Sequence, residues 1–350
     1  MGIRSQCVIW RAKLEVSNLR RSNAIAVSTA ALFIVAASSG VRAAPVIYAT
    51  LDPPGSTRTT IAGINARSDV VGSYVAGGRV YGFVYSNGVY LTLNVPASAA
   101  TVGAGINARG DVAGYYETAT SIDTFGFLYS NGTYTTLQVP GSIVTYPAGI
   151  NDRGEVTGYY QNLVGSLYVQ HGFLYSKGAY TTLDIPGGSS PVATGINARD
   201  EVSGYYAVGG TLLGFVYRKG TYTTLAVPGS TETLAAGINA RGEIAGSYSG
   251  GGNGYGWLYS NGTYATLSVP GSAATGVTAI SDRGDVAGYY DATSGGVYGF
   301  VYSNGTYMTL NVPGSTYNNP TGVNTAGDVA GWYEDAGGNV HGFLARAPEE

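Results

Sequence analysis

A tripeptide, GIN or its near equivalent, returns along this chain with its middle residue at Ile64, Ile106, Ile150, Ile196, Ile238, Ile280 and Val323. The intervals are 42, 44, 46, 42, 42 and 43 residues. A unit of this length is one supersecondary motif that cannot bury its own apolar face, so it must pack against copies of itself. Seven anchors therefore constrain the fold more than any composition figure does.

Each unit reads as four short extended segments separated by turn residues. Segment A, "AGIN", runs into "NARG" or a variant, whose fourth residue is usually Gly and accepts positive φ. Segment B is "DVAGYY", Asp111 to Tyr116 in the second unit, and a loop of variable length follows it. Segment C is "GFLYS" (Gly126 to Ser130), and Asn131-Gly132 is a strong hairpin signal. Segment D, "TYTTLQVPGS", places Leu137 and Val139 on one face and Tyr134 and Thr136 on the other. Pro140 ends it, since proline lacks the donor a strand ladder needs.

Four strands at this period predict an all-β, seven-bladed β-propeller with four antiparallel strands per blade. Segments A, B and C occur seven times, but complete D segments follow only the first six units. The seventh D is "YATLDPP", from Tyr48, so the N-terminal strand is expected to complete the last blade and close the ring. The propeller is expected over residues 44–346, with a short tail at 347–350. Tight A–B and C–D turns should share one face, and the variable B–C loops and D–A crossovers the other, where binding surfaces usually lie.

Residues 1–43 read as a signal peptide. A basic stretch (Arg4, Arg11, Lys13, Arg20, Arg21) precedes the apolar run Ala24 to Ala37, and Val41 and Ala43 fit a cleavage site. The run falls short of the ~20 residues needed to span a bilayer. The expected location is accordingly exported: periplasmic, extracellular or at the cell surface. The one Cys, Cys7, lies in this segment, so the rest of the chain must be held by packing without disulfides. Of eighteen basic and twenty-one acidic residues, six basic and one acidic fall here, leaving twelve against twenty, a net charge of −8. That balance argues against nucleic acid or an anionic membrane as partner, beyond the signal segment itself.

The composite motif "GIN…G-(D/E)-V-x-G-Y-Y…GF-(L/V)-YS-NG-x-Y-x-T-L-x-VPGS" resembles that of the bacterial extracellular HAF-repeat proteins, from Tyr48 to Phe343. The naming tripeptide departs from the family: only His171-Gly172-Phe173 and His341-Gly342-Phe343 keep the His, and both have Gly for Ala. The resemblance implies export and a repeated β architecture. It brings no established activity, so no functional residue is carried over.

In a repeat protein, invariant positions serve the fold and symmetry-breaking ones are the candidates for function. The Tyr ending segment B (Tyr74, Tyr116, Tyr160, Tyr206, Tyr248, Tyr290, Tyr333) is expected to pack between blades. The residue before it varies, giving Tyr115, Tyr159, Tyr205, Tyr289 and Trp332 as candidate ligand-binding positions against Ser73 and Ser247. The acidic residue opening segment B has an Arg two positions before it in six units. These pairs read as exposed hairpin-turn ion pairs worth under ~1 kcal/mol each. The Arg occupies what would be a ligand position of a calcium loop, which argues against a metal there. Lys177, Arg218 and Lys219 read as decoration of exposed turns.

His171 and His341, the only histidines, are further ligand-binding candidates; two His without Cys cannot build a common zinc site, and no G-x-S-x-G elbow is present. No metal, cofactor or catalytic set is expected. The preferred function is an exported, non-enzymatic binding or scaffold propeller that meets a glycan or a protein through its variable-loop face. Two alternatives stand beside it: an extracellular lyase or hydrolase with its site at the channel mouth, and a structural cell-envelope protein. Oligomeric state is not legible.

Overall fold

The computed structural model describes residues 46–121 and 123–346; the expected signal peptide at 1–43 and the tail at 347–350 lie outside the described residues. All regular structure in the described chain is β-strand. A leading strand, β1 (Ile47–Leu51), precedes the first repeat: β2 (Arg58–Ile64), β3 (Val70–Ala76), β4 (Arg79–Ser86) and β5 (Val89–Leu93). Repeat 2 is β6 (Ser98–Ile106), β7 (Val112–Thr118), β8 (Thr124–Ser130) and β9 (Thr133–Leu137). Repeat 3 is β10 (Val144–Ile150), β11 (Val156–Val164), β12 (Leu167–Ser176) and β13 (Ala179–Leu183). Repeat 4 is β14 (Ser189–Ile196), β15 (Val202–Val208), β16 (Thr211–Arg218) and β17 (Thr221–Leu225). Repeat 5 is β18 (Glu232–Ile238), β19 (Ile244–Gly250), β20 (Asn253–Ser260) and β21 (Thr263–Leu267). Repeat 6 is β22 (Ser272–Ile280), β23 (Val286–Ala292), β24 (Val297–Ser303) and β25 (Thr306–Leu310). Repeat 7 is β26 (Ser315–Val323), β27 (Val329–Asp335) and β28 (Val340–Arg346).

The seven-bladed closed propeller expected from the sequence is corrected by the strand pairing. Hydrogen bonds gather the strands into four sheets, of twelve, eight, four and four strands, and none closes on itself. The twelve-stranded sheet joins repeats 1 to 3, and the eight-stranded sheet joins repeats 6 and 7 with β1. The cause lies in three crossovers between repeats. Each lays the start of an A strand parallel to the preceding C strand, at Val80↔Ala100, Thr124↔Val144 and Val297↔Tyr317. A period counts strands per unit; it does not say which strand edges meet. β1 runs antiparallel to β28, from Ile47↔Arg346 to Leu51↔Gly342, and so forms one edge of the eight-stranded sheet.

The invariant Gly of segment B has a steric origin. At Gly72, Gly114, Gly158, Gly204, Gly246, Gly288 and Gly331, a Cβ would sit 1.9–2.3 Å from a carbonyl oxygen of the neighbouring A strand. That A strand bulges at the next residues, as between Ile61 and Gly63, and presses its backbone onto the glycine. Next to these glycines the segment C aromatics Phe83, Phe127, Phe173, Phe215, Trp257, Phe300 and Phe343 are fully buried.

Much of the tyrosine content is absorbed by hydrogen bonding. The Tyr ending segment B shares a buried cluster with apolar residues of the preceding repeat, as expected, Tyr160 with Leu137 and Val139 and Tyr206 with Leu183 and Ile185. Its hydroxyl in addition meets a Thr on the outer strand of its own sheet in every repeat. The pairs run from Tyr74–Thr92 at 3.0 Å to Tyr333–Thr50 at 3.2 Å, the last reaching across to β1. The outer-strand tyrosines add hydrogen bonds between repeats. Asn94 N–H donates to Tyr134 Oη, Ala226 N–H to Tyr264 Oη and Ser268 N–H to Tyr307 Oη at 2.9–3.1 Å.

The segment B carboxylates also differ from expectation. Asp69, Asp111 and Glu155 are buried, not exposed, and only their Arg partners face water. Asp69 accepts from Asn65 Nδ2 (2.8 Å), Ser86 Oγ (2.5 Å) and Arg67 (2.7 Å). Burial pushes its pKa up, but the bonds from Ser86, Asn65 and Arg67 outweigh burial and hold it below its ordinary value. The same Asn65 amide donates to the Asn107 carbonyl of the next repeat at 2.9 Å, and Asn324 returns the bond to Asn65 at 3.1 Å. Arg218 is no surface decoration: it replaces the serine of this network and bonds Glu201 at 3.0 Å.

Candidate functional site

Antiparallel strands place the A–B and C–D turns at one end of each repeat and the B–C loops and D–A crossovers at the other, the loop end. The candidate aromatics sit on segment B near the loop end, each opposite an A-strand residue: Val102↔Tyr115, Tyr146↔Tyr159, Val192↔Tyr205, Gly276↔Tyr289 and Asn319↔Trp332. All five are half-buried.

Two clusters result. Tyr146 of β10 lies edge-on to Tyr115 of the previous repeat, with ring centres 4.5 Å apart, and stacks on Tyr159 at 5.1 Å. Tyr317 of β26 stacks on Trp332 at 5.2 Å. Tyr289 belongs with this second pair. Its strand, β23, packs against β26, and burial first, then the neighbouring Tyr289, Asp291 and Glu334, together raise the Tyr317 hydroxyl to about 12. The Tyr289 ring crosses Gly276 so closely that a Cβ there would lie 2.6 Å from its Cζ, so only glycine leaves it room. The two remaining repeats carry Ser73 and Ser247, which serve hydrogen bonds: Ser73 to Thr60 within its repeat at 3.0 Å, and Ser247 accepting from Val277 N–H of the next repeat at 2.9 Å.

The histidines do not join these clusters. Alternation along a strand sends Trp332 and Tyr333 to opposite faces, and each His is on the face of the segment B terminal Tyr. His171 stacks on Tyr160 at 4.9 Å, and Asp184 is 2.9 Å from its Nδ1. His341 stacks on Tyr333 at 5.1 Å and lies between two carboxylates, Nδ1 2.6 Å from Asp52 and Nε2 3.4 Å from Asp335. Burial lowers the His341 pKa, but the Asp52 bond and the charges of both aspartates outweigh burial and hold it above 6.5. Asp335 is opposed by burial but brought down to about 2 by bonds from Asn339, Gly337 and His341. A cleft of about 270 Å³ opens beside this group, lined by Asp52, Ser56, Thr57, Arg58, Asn339, Val340 and His341.

Sequence reading missed the partners. An Asp follows the outer-strand Leu only in the two repeats that carry His, as Asp184 and Asp52; elsewhere that place holds Asn94, Gln138, Ala226, Ser268 or Asn311. This paired occurrence was the available signal. Tyr146 and Tyr317 are likewise aromatic intrusions into segment A. Among the described residues no group of three or more His, Cys, Asp or Glu is arranged to hold a metal, and no helix is long and apolar enough to cross a membrane.

No protein-family model and no curated protein matches the chain. Solved structures do match, and they are β-propeller-like proteins. Virginiamycin B lyase from Staphylococcus aureus aligns over 85% of this chain and 99% of its own, at 11% identity and TM-score 0.55. A streptogramin B lyase aligns over 86% and 98%, at 15% identity and TM-score 0.50. A prolyl endopeptidase aligns over 85% of this chain and 51% of its own, at 11% identity and TM-score 0.58. At these identities the likeness is one of fold: the chain is a repeated, all-β protein of propeller-like type.

Proposed function

We propose that the protein is an exported, non-enzymatic binding module that takes a glycan at the loop end of its repeats. The observation that carries this reading is the gathering of aromatics where repeat symmetry breaks: Tyr115, Tyr146 and Tyr159 in one place, Tyr289, Tyr317 and Trp332 in another. Half-buried aromatic surfaces with a polar edge suit sugar rings, which offer an apolar C–H face and hydroxyls at the rim. The basic, apolar leader at residues 1–43 supports export. A lyase built on His341 finds less support, because Asp52 at 2.6 Å and Asp335 at 3.4 Å already engage its two ring nitrogens.

A glycan array on the purified protein, followed by calorimetry with the best ligand, tests the reading. Trp332→Ala and Tyr146→Ala should each weaken binding by about tenfold, as loss of one stacking contact would. No glycan ligand on the array, or unchanged affinity in both variants, would overturn it.

A further inference from the structure

We propose that Tyr289, Tyr317 and Trp332, with Asp291, Glu334 and Asn319, form a subsite for a protonated amine carried on a sugar ring. The inference rests on the glycan-binding reading and names the chemical class of its ligand. Both aromatic clusters combine segment B aromatics of adjacent repeats with one segment A tyrosine, Tyr146 opposite Tyr159 in the first and Tyr317 opposite Glu334 in the second, and their rims differ. Tyr115–Tyr146–Tyr159 has one carboxylate following on segment B, Glu117, with Gln161 at the equivalent place in repeat 3. In repeats 6 and 7 both equivalent places are acidic, Asp291 and Glu334, and each lies two residues beyond its aromatic on the same strand face.

These carboxylates differ from most others in the protein. Asp69, Asp111, Glu155, Glu201, Asp52 and Asp335 are each engaged by a side-chain donor or cation. Among the described residues, neither the Asp291 nor the Glu334 carboxylate accepts a hydrogen bond or pairs with a cation. Register places Glu334 directly across from Tyr317 and Asn319 across from Trp332. The Asn319 Oδ1 atom is buried and receives no hydrogen bond. Aromatic faces, two uncompensated carboxylates and an unfilled carbonyl acceptor are all electron-rich, and nothing in the set is a cation. An ammonium group suits this set, through cation–π attraction to the aromatic faces and ion pairing with the two carboxylates, while the buried Asn319 carbonyl adds to the negative potential beneath it. The sugar ring that carries the ammonium occupies the aromatic surface. The surplus of acidic residues beyond the leader favours the approach of such a cation.

The test is calorimetry of the full chain with a glucosamine hexamer and with its fully N-acetylated counterpart, at about pH 5.5, where the free amines are protonated. The amine-bearing hexamer should bind about tenfold more tightly, and this advantage should shrink as salt rises from about 0.05 to about 0.5 M. Asp291→Asn combined with Glu334→Gln should remove the advantage while leaving any binding of the acetylated hexamer unchanged; strand circular dichroism verifies that the variant is folded. Equal binding of the two hexamers, or an advantage that survives in the double variant, overturns the amine inference and leaves the glycan reading standing. Binding of another glycan but of neither hexamer does the same. Failure of every glycan on the array overturns both.

Discussion

His171 in repeat 3 and His341 in repeat 7 stack on equivalent tyrosines, and each meets an aspartate that follows the outer-strand leucine. In repeat 3 that aspartate, Asp184, is 13 residues away on the same hairpin. In repeat 7 it is Asp52, 289 residues away, just beyond β1. A second carboxylate, Asp335, closes on the other ring nitrogen only in repeat 7. One local motif thus becomes a long-range clasp where the fourth strand comes from the opposite end of the chain. The comparison teaches that equal sequence units carry unequal mechanical duty.

The largest effects should come from the leucines beside the two aspartates. Leu51 and Leu183 are both fully buried, so Leu51→Ala and Leu183→Ala should each cost about 2–5 kcal/mol in denaturant unfolding. Only Leu51→Ala should also release β1, seen as faster proteolysis near residues 52–57. Equal resistance of the two variants there would break the comparison.

The histidine pair gives an intermediate effect with a defined pH dependence. The folded-state pKa of His341 is raised, so its contribution is complete below 6.5 and lost as pH rises through the folded value. Asp335 is depressed from 3.8 to about 2, so its contribution is complete above 3.8 and lost as pH falls through about 2. The clasp should therefore be strongest between about pH 4 and 6.5. The melting-temperature gap between wild type and His341→Gln should peak in that window and narrow on the alkaline side. Amide exchange in Ile47–Leu51 should accelerate in His341→Gln and stay unchanged in His171→Gln. A pH-independent gap would argue against the clasp.

The smallest effect concerns the turn after β12. Lys177 sits at φ 50, whereas the equivalent Asn131 sits at φ 49. Asn tolerates this left-handed region better than Lys, so Lys177→Asn should stabilise by about 0.5–1 kcal/mol in thermal unfolding. A loss of stability instead would mean that the Lys177 side chain has a role the hairpin geometry does not reveal.

The four-stranded repeat was legible because each strand leaves a local mark: Asn-Gly at the C–D hairpin, Gly before Tyr-Tyr on segment B, Pro after segment D. The pairing of β1 with β28 followed from a count of D segments. The grouping into four sheets was not legible, because single parallel bridges such as Val80↔Ala100 depend on how a crossover settles. The buried state of Asp69 and its equivalents was also hidden. An Arg two residues away looks the same in sequence whether the carboxylate faces water or receives the Asn65 amide.

For the candidate site, Tyr115, Tyr159, Tyr205, Tyr289 and Trp332 could be found as departures from the repeat, and His171 and His341 as its only imidazoles. Sequence alone set the strand content, the repeat boundaries and these positions, because each is fixed by turn chemistry and alternation over a few residues. Tertiary structure alone decided that Tyr146 joins Tyr115 and Tyr159, that Tyr317 joins Tyr289 and Trp332, and that Asp52 reaches His341. These contacts join residues of different strands, often of different repeats, and only the packing of one repeat on the next sets such distances.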